Sequence, residues 1–236
     1  MITIQDFGGN TKLYDLILKQ LKRKVSIFKR YSIKGISKND AATCEELSIK
    51  AINVDNLDFL RFFPGLKSLY LGNITGLKNF DGISNCKLHT LYIFNVNLDD
   101  FSVFAKCSSL KTFSYLYDDA SKATPCKDVS FVKHLPELEN LYLPWQEADI
   151  TPILQCYSLQ ELELSNSQID SVEQFNVLPN LHNLILWGCG LKETVDFSGF
   201  ANLKRIELPY NNFTGEQIDE MIRKYPELSF QFKTKN

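Results

Sequence analysis

The chain is 236 residues long, 44% apolar and 12% aromatic, which is enough for a continuous core and too apolar for a disordered segment. A net charge of −2 and a pI near 6.0 exclude a global electrostatic footprint for nucleic acid or an acidic membrane. Charge is uneven, since residues 1–50 hold ten Lys/Arg against five Asp/Glu and the remainder sixteen against twenty-three.

Residues 1–10 end in Gly8-Gly9-Asn10, a turn signal that predicts a short extended opening. The stretch Met1 to Phe7 lacks the basic start and apolar run of a secretory signal, and nowhere do eighteen consecutive apolar residues occur, so a cytoplasmic protein is expected. From Thr11 to Lys24, Leu13, Leu16, Ile17 and Leu21 recur at helical spacing, with Thr11 as the expected cap and Lys19, Lys22, Arg23 and Lys24 near the C-terminal end. Residues 25–36 are rich in β-branched and aromatic types and predict a strand or two, bounded by Gly35 and the polar run 37–40. Residues 1–43 thus read as an N-terminal cap.

From Cys44 onward the chain repeats. Units begin at Cys44, Leu66, Leu88, Leu110, Leu138, Leu159, Leu181 and Leu203, at intervals of 22, 22, 22, 28, 21, 22 and 22 residues. Positions four and six of every unit are apolar, as in Leu69/Leu71, Leu91/Ile93 and Leu162/Leu164. This pattern resembles the leucine-rich repeat family over about residues 44–232, in its short subclass of internalin-like and phosphatase-regulator-like proteins. The resemblance implies an α/β repeat solenoid of about eight coils with a parallel concave β-sheet and short return segments, forming a single continuous domain over residues 44–236 with its N-terminal cap. It also implies apolar return positions such as Leu98, Phe101 and Phe104, or Ile169, Val172 and Phe175. The departure lies at position nine, where the family keeps Asn. Here that position holds Ile52, Ile74, Val96, Asp118, Gln146, Ser167, Cys189 and Asn211, so an uninterrupted Asn ladder is excluded and an irregular solenoid is expected.

Each coil offers an apolar side that it cannot bury alone, so neighbours must stack and the ends must be covered. Thr214-Gly215-Glu216-Gln217 reads as a capping-box start for a helix through Ile218, Met221 and Ile222, and residues 228–232 as a last, imperfect strand. The 28-residue interval places six extra residues within 117–127, which predicts a loop projecting from the rim.

In a strand, alternate side chains face opposite sides, so if positions four and six point inward, positions three, five and seven face out on the concave surface. Position five reads Ser48, Tyr70, Tyr92, Ser114, Tyr142, Glu163, Ile185 and Glu207. Position seven includes Phe94 and Trp187, position three Glu161 and Arg205, and position eight, at the sheet's edge, Tyr117, Trp145 and Tyr210. Large aromatics that solvent would see carry much of the energy of interfaces. The candidate partner-binding set is therefore Tyr70, Tyr92, Phe94, Tyr117, Tyr142, Trp145, Glu161, Glu163, Trp187, Arg205, Glu207 and Tyr210. The glutamates are expected to select a partner with a basic patch.

Catalytic patterns are missing. The histidines His89, His134 and His182 share no metal or nucleophile spacing, and no P-loop, dinucleotide fingerprint or hydrolase elbow occurs. The six cysteines (Cys44, Cys86, Cys107, Cys126, Cys156, Cys189) lie 19 to 42 residues apart without a Cys-x-x-Cys pair, and read as reduced, mostly buried thiols. No cofactor, metal or small-molecule substrate is expected, and no enzyme. The expected function is a protein-protein interaction module acting on a protein or peptide partner through the concave face, for regulation, scaffolding or neutralisation. Two alternatives stand beside it: a cognate, immunity-type inhibitor of a toxic enzyme, and a polyanion-binding adaptor using the basic helix.

Overall fold

The computed structural model describes residues 1–24, 34–119, 124–145 and 147–232. Among these, nine short strands form one parallel sheet in sequence order. They are β1 (Glu46–Lys50), β2 (Ser68–Gly72), β3 (Thr90–Phe94), β4 (Thr112–Leu116), β5 (Asn140–Tyr142), β6 (Glu161–Glu163), β7 (Asn183–Ile185), β8 (Arg205–Glu207) and β9 (Ser229–Gln231). Sequence-order pairing is what a solenoid demands, because the chain returns after each strand to the edge it has just made.

The repeat phase is the one the apolar pattern sets. Leu47, Leu69, Leu91, Phe113, Leu141, Leu162, Leu184 and Ile206 are consecutive register partners, and all are buried. Burying each contributes roughly 1.5–3 kcal/mol relative to exposure, one share of what all the apolar side chains of a coil together set against the ordering of its strand and return. The return segments are single 3-10 turns, such as Asp58–Phe62, Ser102–Lys106 and Glu173–Val177, and they send Leu60, Phe104 and Phe175 into the same core. A knot of rings fills its middle, where Phe101 meets Tyr115 edge-on at 5.0 Å and Phe104 lies 4.8 Å from Phe113.

Each return turn is started by a small polar side chain that accepts the backbone N–H two residues on. The acceptors are Asn56, Asn79, Asp100, Asp128, Asp149, Ser171 and Asp196. Asx-type capping of this kind suits a 3-10 turn too short to satisfy its own first N–H groups.

Position eight, just after each strand, takes a left-handed backbone at Ala51, Asn73, Asn95, Trp145, Asn166, Gly188 and Tyr210. Position nine changes character along the stack. Ile52, Ile74 and Val96 are buried and apolar. Farther on, Cys189 donates to the Leu164 carbonyl at 3.3 Å, and Asn211 donates to the Leu186 carbonyl at 2.7 Å. The ladder is interrupted, as position nine predicts, yet the strand register stays regular through all eight pairings.

The caps differ in detail from the sequence expectation. The opening is a 3-10 turn, Ile4–Phe7, preceded by an extended Thr3 and by Ile2, which bridges Ile36. Helix α1 spans Thr11–Arg23 and is capped by Asn10, whose Oδ1 accepts from the Leu13 N–H at 3.0 Å, rather than by Thr11. The strand reading of residues 25–36 falls largely outside the described residues. The polar run at 37–40 opens a one-turn helix, α2 (Lys38–Ala42), with Ser37 as its cap. At the other end, Thr214 and Gln217 form the expected capping box of α3 (Gly215–Lys224), but Met221 is buried while Ile222 is exposed. The final strand is β9.

The extra residues of the long coil do not all project. Residues 120–123 lie outside the described residues, but Cys126 is wholly buried and its carbonyl accepts from the Glu147 N–H at 2.9 Å. The Thr124 carbonyl likewise accepts from the buried Tyr115 hydroxyl at 3.2 Å. The second limb of the insertion is therefore part of the packing. No described helix is long and apolar enough to cross a membrane.

Candidate functional site

The outward row of the sheet runs Ser48, Tyr70, Tyr92, Ser114, Tyr142, Glu163, Ile185, Glu207 and Gln231, each the register partner of the next. At one end the Lys50 ammonium sits 4.4 Å from the centroid of the Tyr70 ring. That ring lies against Gly72, where a Cβ would come within 2.5 Å of it, so glycine leaves the space the ring occupies. Phe94 is half-buried beside it on β3, the register partner of Gly72.

In the middle, Tyr92 is 39% exposed and Ser114 only 1%, although Ser114 also faces outward. Ser114 stands between Tyr92 and Tyr142 in the register. Burial pushes the Tyr142 phenol up, and the neighbouring Glu161 carboxylate, hydrogen-bonded to it, pushes in the same direction. Burial also raises Glu163 above the usual carboxylate range; the Ser165 hydroxyl opposes this, while the charges of Glu207 and Glu161 reinforce it.

Across β7 and β8 a hydrogen-bonded chain fixes the largest ring. The Trp187 Nε1–H donates to Glu207 Oε2 at 3.1 Å, the Arg205 guanidinium lies 2.7 Å from Glu207 Oε1, and Arg205 donates to Gln231 Oε1 at 3.1 Å. The Trp187 N–H is held by Ser165 Oγ at 3.3 Å. The indole is thereby oriented while 38% exposed.

The sequence-derived set divides accordingly. Tyr70, Tyr92, Phe94, Tyr142, Glu161, Glu163, Trp187 and Arg205 stand on the outward face of the sheet. Glu207 shares that side but is only 6% exposed, because Trp187 and Arg205 cover its carboxylate, so it positions a ring rather than presenting free charge. Trp145 and Tyr210 lie on the rim turns, with φ of 55° and 60°, and Tyr210 is 39% exposed. Trp145 is half-buried and lines a rim groove of about 720 Å³ with Pro125, Asp149, Asn166 and Asp170.

Tyr117 is the correction. It is 8% exposed, with its ring edge-on to Tyr115 at 5.4 Å and its hydroxyl donating to Asn97 Oδ1 at 2.9 Å. It departs from the left-handed turn of its counterparts, and a ring turned inward is unavailable to a partner.

Several residues of this face were absent from the expected set. Lys50, Ser114, Ser165 and Asn183 occupy outward positions three, five and seven, so the alternation places them, but nothing in small or common polar side chains marks them as members. Two of them are exceptional in the structure: Ser114 Oγ and Asn183 Oδ1 are buried with no hydrogen-bond partner.

Chemistry of other kinds finds no support among the described residues. No group of three His, Cys, Asp or Glu side chains is placed to hold a metal. The cysteines are free, and burial pushes the Cys86 thiol to about 12 and that of Cys107 to about 11, which disfavours the thiolate at both.

No family model and no curated protein matches the sequence. Solved structures do. Internalin C2 of Listeria monocytogenes aligns over 98% of this chain and 96% of its own, at 19% identity and a TM-score of 0.70. A leucine-rich repeat protein of Leptospira interrogans aligns over 84% of this chain, at 22% identity and a TM-score of 0.59, and this chain spans 51% of it. At such identities the likeness speaks to architecture, and together with the 22-residue register it establishes the chain as a leucine-rich-repeat solenoid.

Proposed function

We propose that the chain is a non-enzymatic binding module that receives a protein or peptide partner on the outward face of its sheet. The observation that carries this reading is the row itself. Tyr70, Tyr92 and Tyr142 sit in register on the side of the sheet that the core does not use, followed by an oriented, part-exposed Trp187. Rings held in place before binding lose little entropy on contact, and Tyr and Trp dominate interface hot spots. Glu161 and Glu163, which form no ion pair with a Lys or Arg among the described residues, favour a partner with a basic edge. Regulation, scaffolding and inhibition of a toxic enzyme all use such a face. The free, buried thiols suit a reducing compartment such as the cytoplasm.

The polyanion alternative has less behind it. Leu13, Ile17 and Leu21 bury one side of α1, and Lys24 is partly engaged by Glu46, at 3.7 Å from its carboxylate and 3.3 Å from its carbonyl.

A random peptide library displayed on phage, selected against the immobilised chain, tests the reading. Selected peptides are expected to be rich in Lys and Arg, and to lose about 2 kcal/mol or more of binding to Tyr92→Ala or Trp187→Ala while circular dichroism is unchanged. Peptides that bind both variants as well as the parent chain would move the site elsewhere.

A further inference from the structure

A parallel stack ends in two strand edges, and the two edges of this sheet are finished differently. At β1 the Gln20 side chain takes both backbone groups of Ser48, at 2.6 and 2.9 Å, and the Lys24 ammonium donates to the Glu46 carbonyl at 3.3 Å. At β9 the Ser229 N–H donates to the Lys204 carbonyl at 2.8 Å, and the Gln231 carbonyl accepts from the Leu208 N–H at 2.8 Å. Both residues thus turn their backbone groups toward β8. Phe230, between them, turns its own away, because the hydrogen-bonding groups of a strand alternate sides. Among the described residues no backbone or side-chain group bonds that outward N–H or carbonyl.

The β9 edge also lacks the features that keep an edge single. Its residues, Ser229, Phe230 and Gln231, include no charge and no proline, whereas β1 begins on Glu46 and ends on Lys50. Apolar surface accompanies it. The rings of Phe230 and Phe232 stack at 5.4 Å and are only partly buried against the end of the core.

We infer that β9 is a self-association edge, on which β9 of a second copy of this chain lies antiparallel across a two-fold axis beside Phe230. The occupant follows from the geometry. Docking β9 on the β1 edge of another copy would build an open-ended filament, and Gln20 and Lys24 already occupy that edge. Like edge against like edge closes after two copies, and the two-fold makes the strands antiparallel. Residues directly opposite in a hydrogen-bonded antiparallel pair exchange both N–H···O bonds, so Phe230 facing its own counterpart uses both free groups of each copy. Ser229 then stands opposite Gln231, an uncharged polar pair, and the outward faces of the two sheets lie on one side. A seam of three residues from each copy is short, so the dimer is weak and transient.

Sedimentation equilibrium of the full chain, from about 10 μM to about 1 mM, tests the inference. The mass is expected to climb from the 27.1 kDa of one chain toward twice that value and no further. Over the same range the Phe230 amide should exchange with solvent severalfold more slowly, while the Ser229 amide, bonded to β8 in either state, should not change. Phe230→Pro removes the donor beside the axis without touching the bonds to β8, and should keep the mass of one chain. Two double variants keep the test decisive if the proline does not fold. Ser229→Lys/Gln231→Lys and Ser229→Glu/Gln231→Glu each set like charges opposite one another, and should be monomeric alone but pair when mixed. A single-chain mass for the parent at every concentration, growth beyond two copies, or charge variants that dimerise alone or fail to pair when mixed would overturn the assignment.

Discussion

The side-chain amide of Gln20 pairs with both backbone groups of Ser48, donating to its carbonyl at 2.6 Å and accepting from its N–H at 2.9 Å. A glutamine of α1 thereby imitates the strand that would precede β1, and closes part of an edge that would otherwise recruit other chains. Gln20→Ala is expected to cost about 1–2 kcal/mol, read as a lower urea midpoint, and to increase light scattering on standing. Gln20→Glu should be no better, since a carboxylate would oppose the Ser48 carbonyl. An unchanged midpoint in both variants would show that the edge is sealed by other contacts.

The orientation of Trp187 should depend on Glu207. In a Trp145→Phe background, which leaves one tryptophan, Glu207→Ala is expected to shift indole emission to the red and increase quenching by acrylamide. Stability should fall by about 1–2 kcal/mol as the bonds from Trp187 and Arg205 are lost. Unaltered emission would mean that packing alone holds the ring.

Glu163 should make the free protein less stable at neutral pH. Its folded pKa is raised by burial, so the native state holds a proton over a range in which the unfolded chain has released it. Stability therefore falls as pH rises from the unfolded value through the folded one. Glu163→Gln is expected to be more stable than the parent at pH 7, with the gain disappearing below the ordinary carboxylate range. Equal melting temperatures at pH 7 would contradict this.

The column of Asx caps has the opposite sign. Hydrogen bonds from the Thr151 side chain and backbone hold the Asp149 carboxyl below its usual range, as those from Ser130 do for Asp128. Their contribution is present above the unfolded value and lost as pH falls through the folded one. Asp149→Ala should melt below the parent at pH 7, and the two curves should converge in acid. Asp149→Asn, which keeps an acceptor for the Thr151 N–H, should lie between them. A constant offset at all pH values would assign the loss to packing instead.

The fold was legible because its signal is redundant. Eight units place Leu, Ile or Phe at position four, and any one coil could be misread without shifting the rest. The face was legible only as a side. Alternation put Glu163, Trp187 and Glu207 outward, but it has no term for one side chain lying over another, and so it counted the covered Glu207 as free charge. Tyr117 failed for a related reason. The alternation put Tyr115 inward at position six and Tyr117 at the sheet's edge, yet the hydroxyl of the second meets that of the first and Asn97. Gln20 was invisible because its partner is a backbone, which no pattern of side chains announces.

Position nine has one further consequence. The early coils fill it with Ile52, Ile74 and Val96, whereas the later coils use Cys189 and Asn211, which hold the preceding coil by hydrogen bonds. Attraction between apolar groups weakens as water is cooled, while hydrogen bonding does not share that dependence. One continuous stack therefore has two responses to temperature, and near freezing the seams around Ile52, Ile74 and Val96 should loosen before those around Cys189 and Asn211.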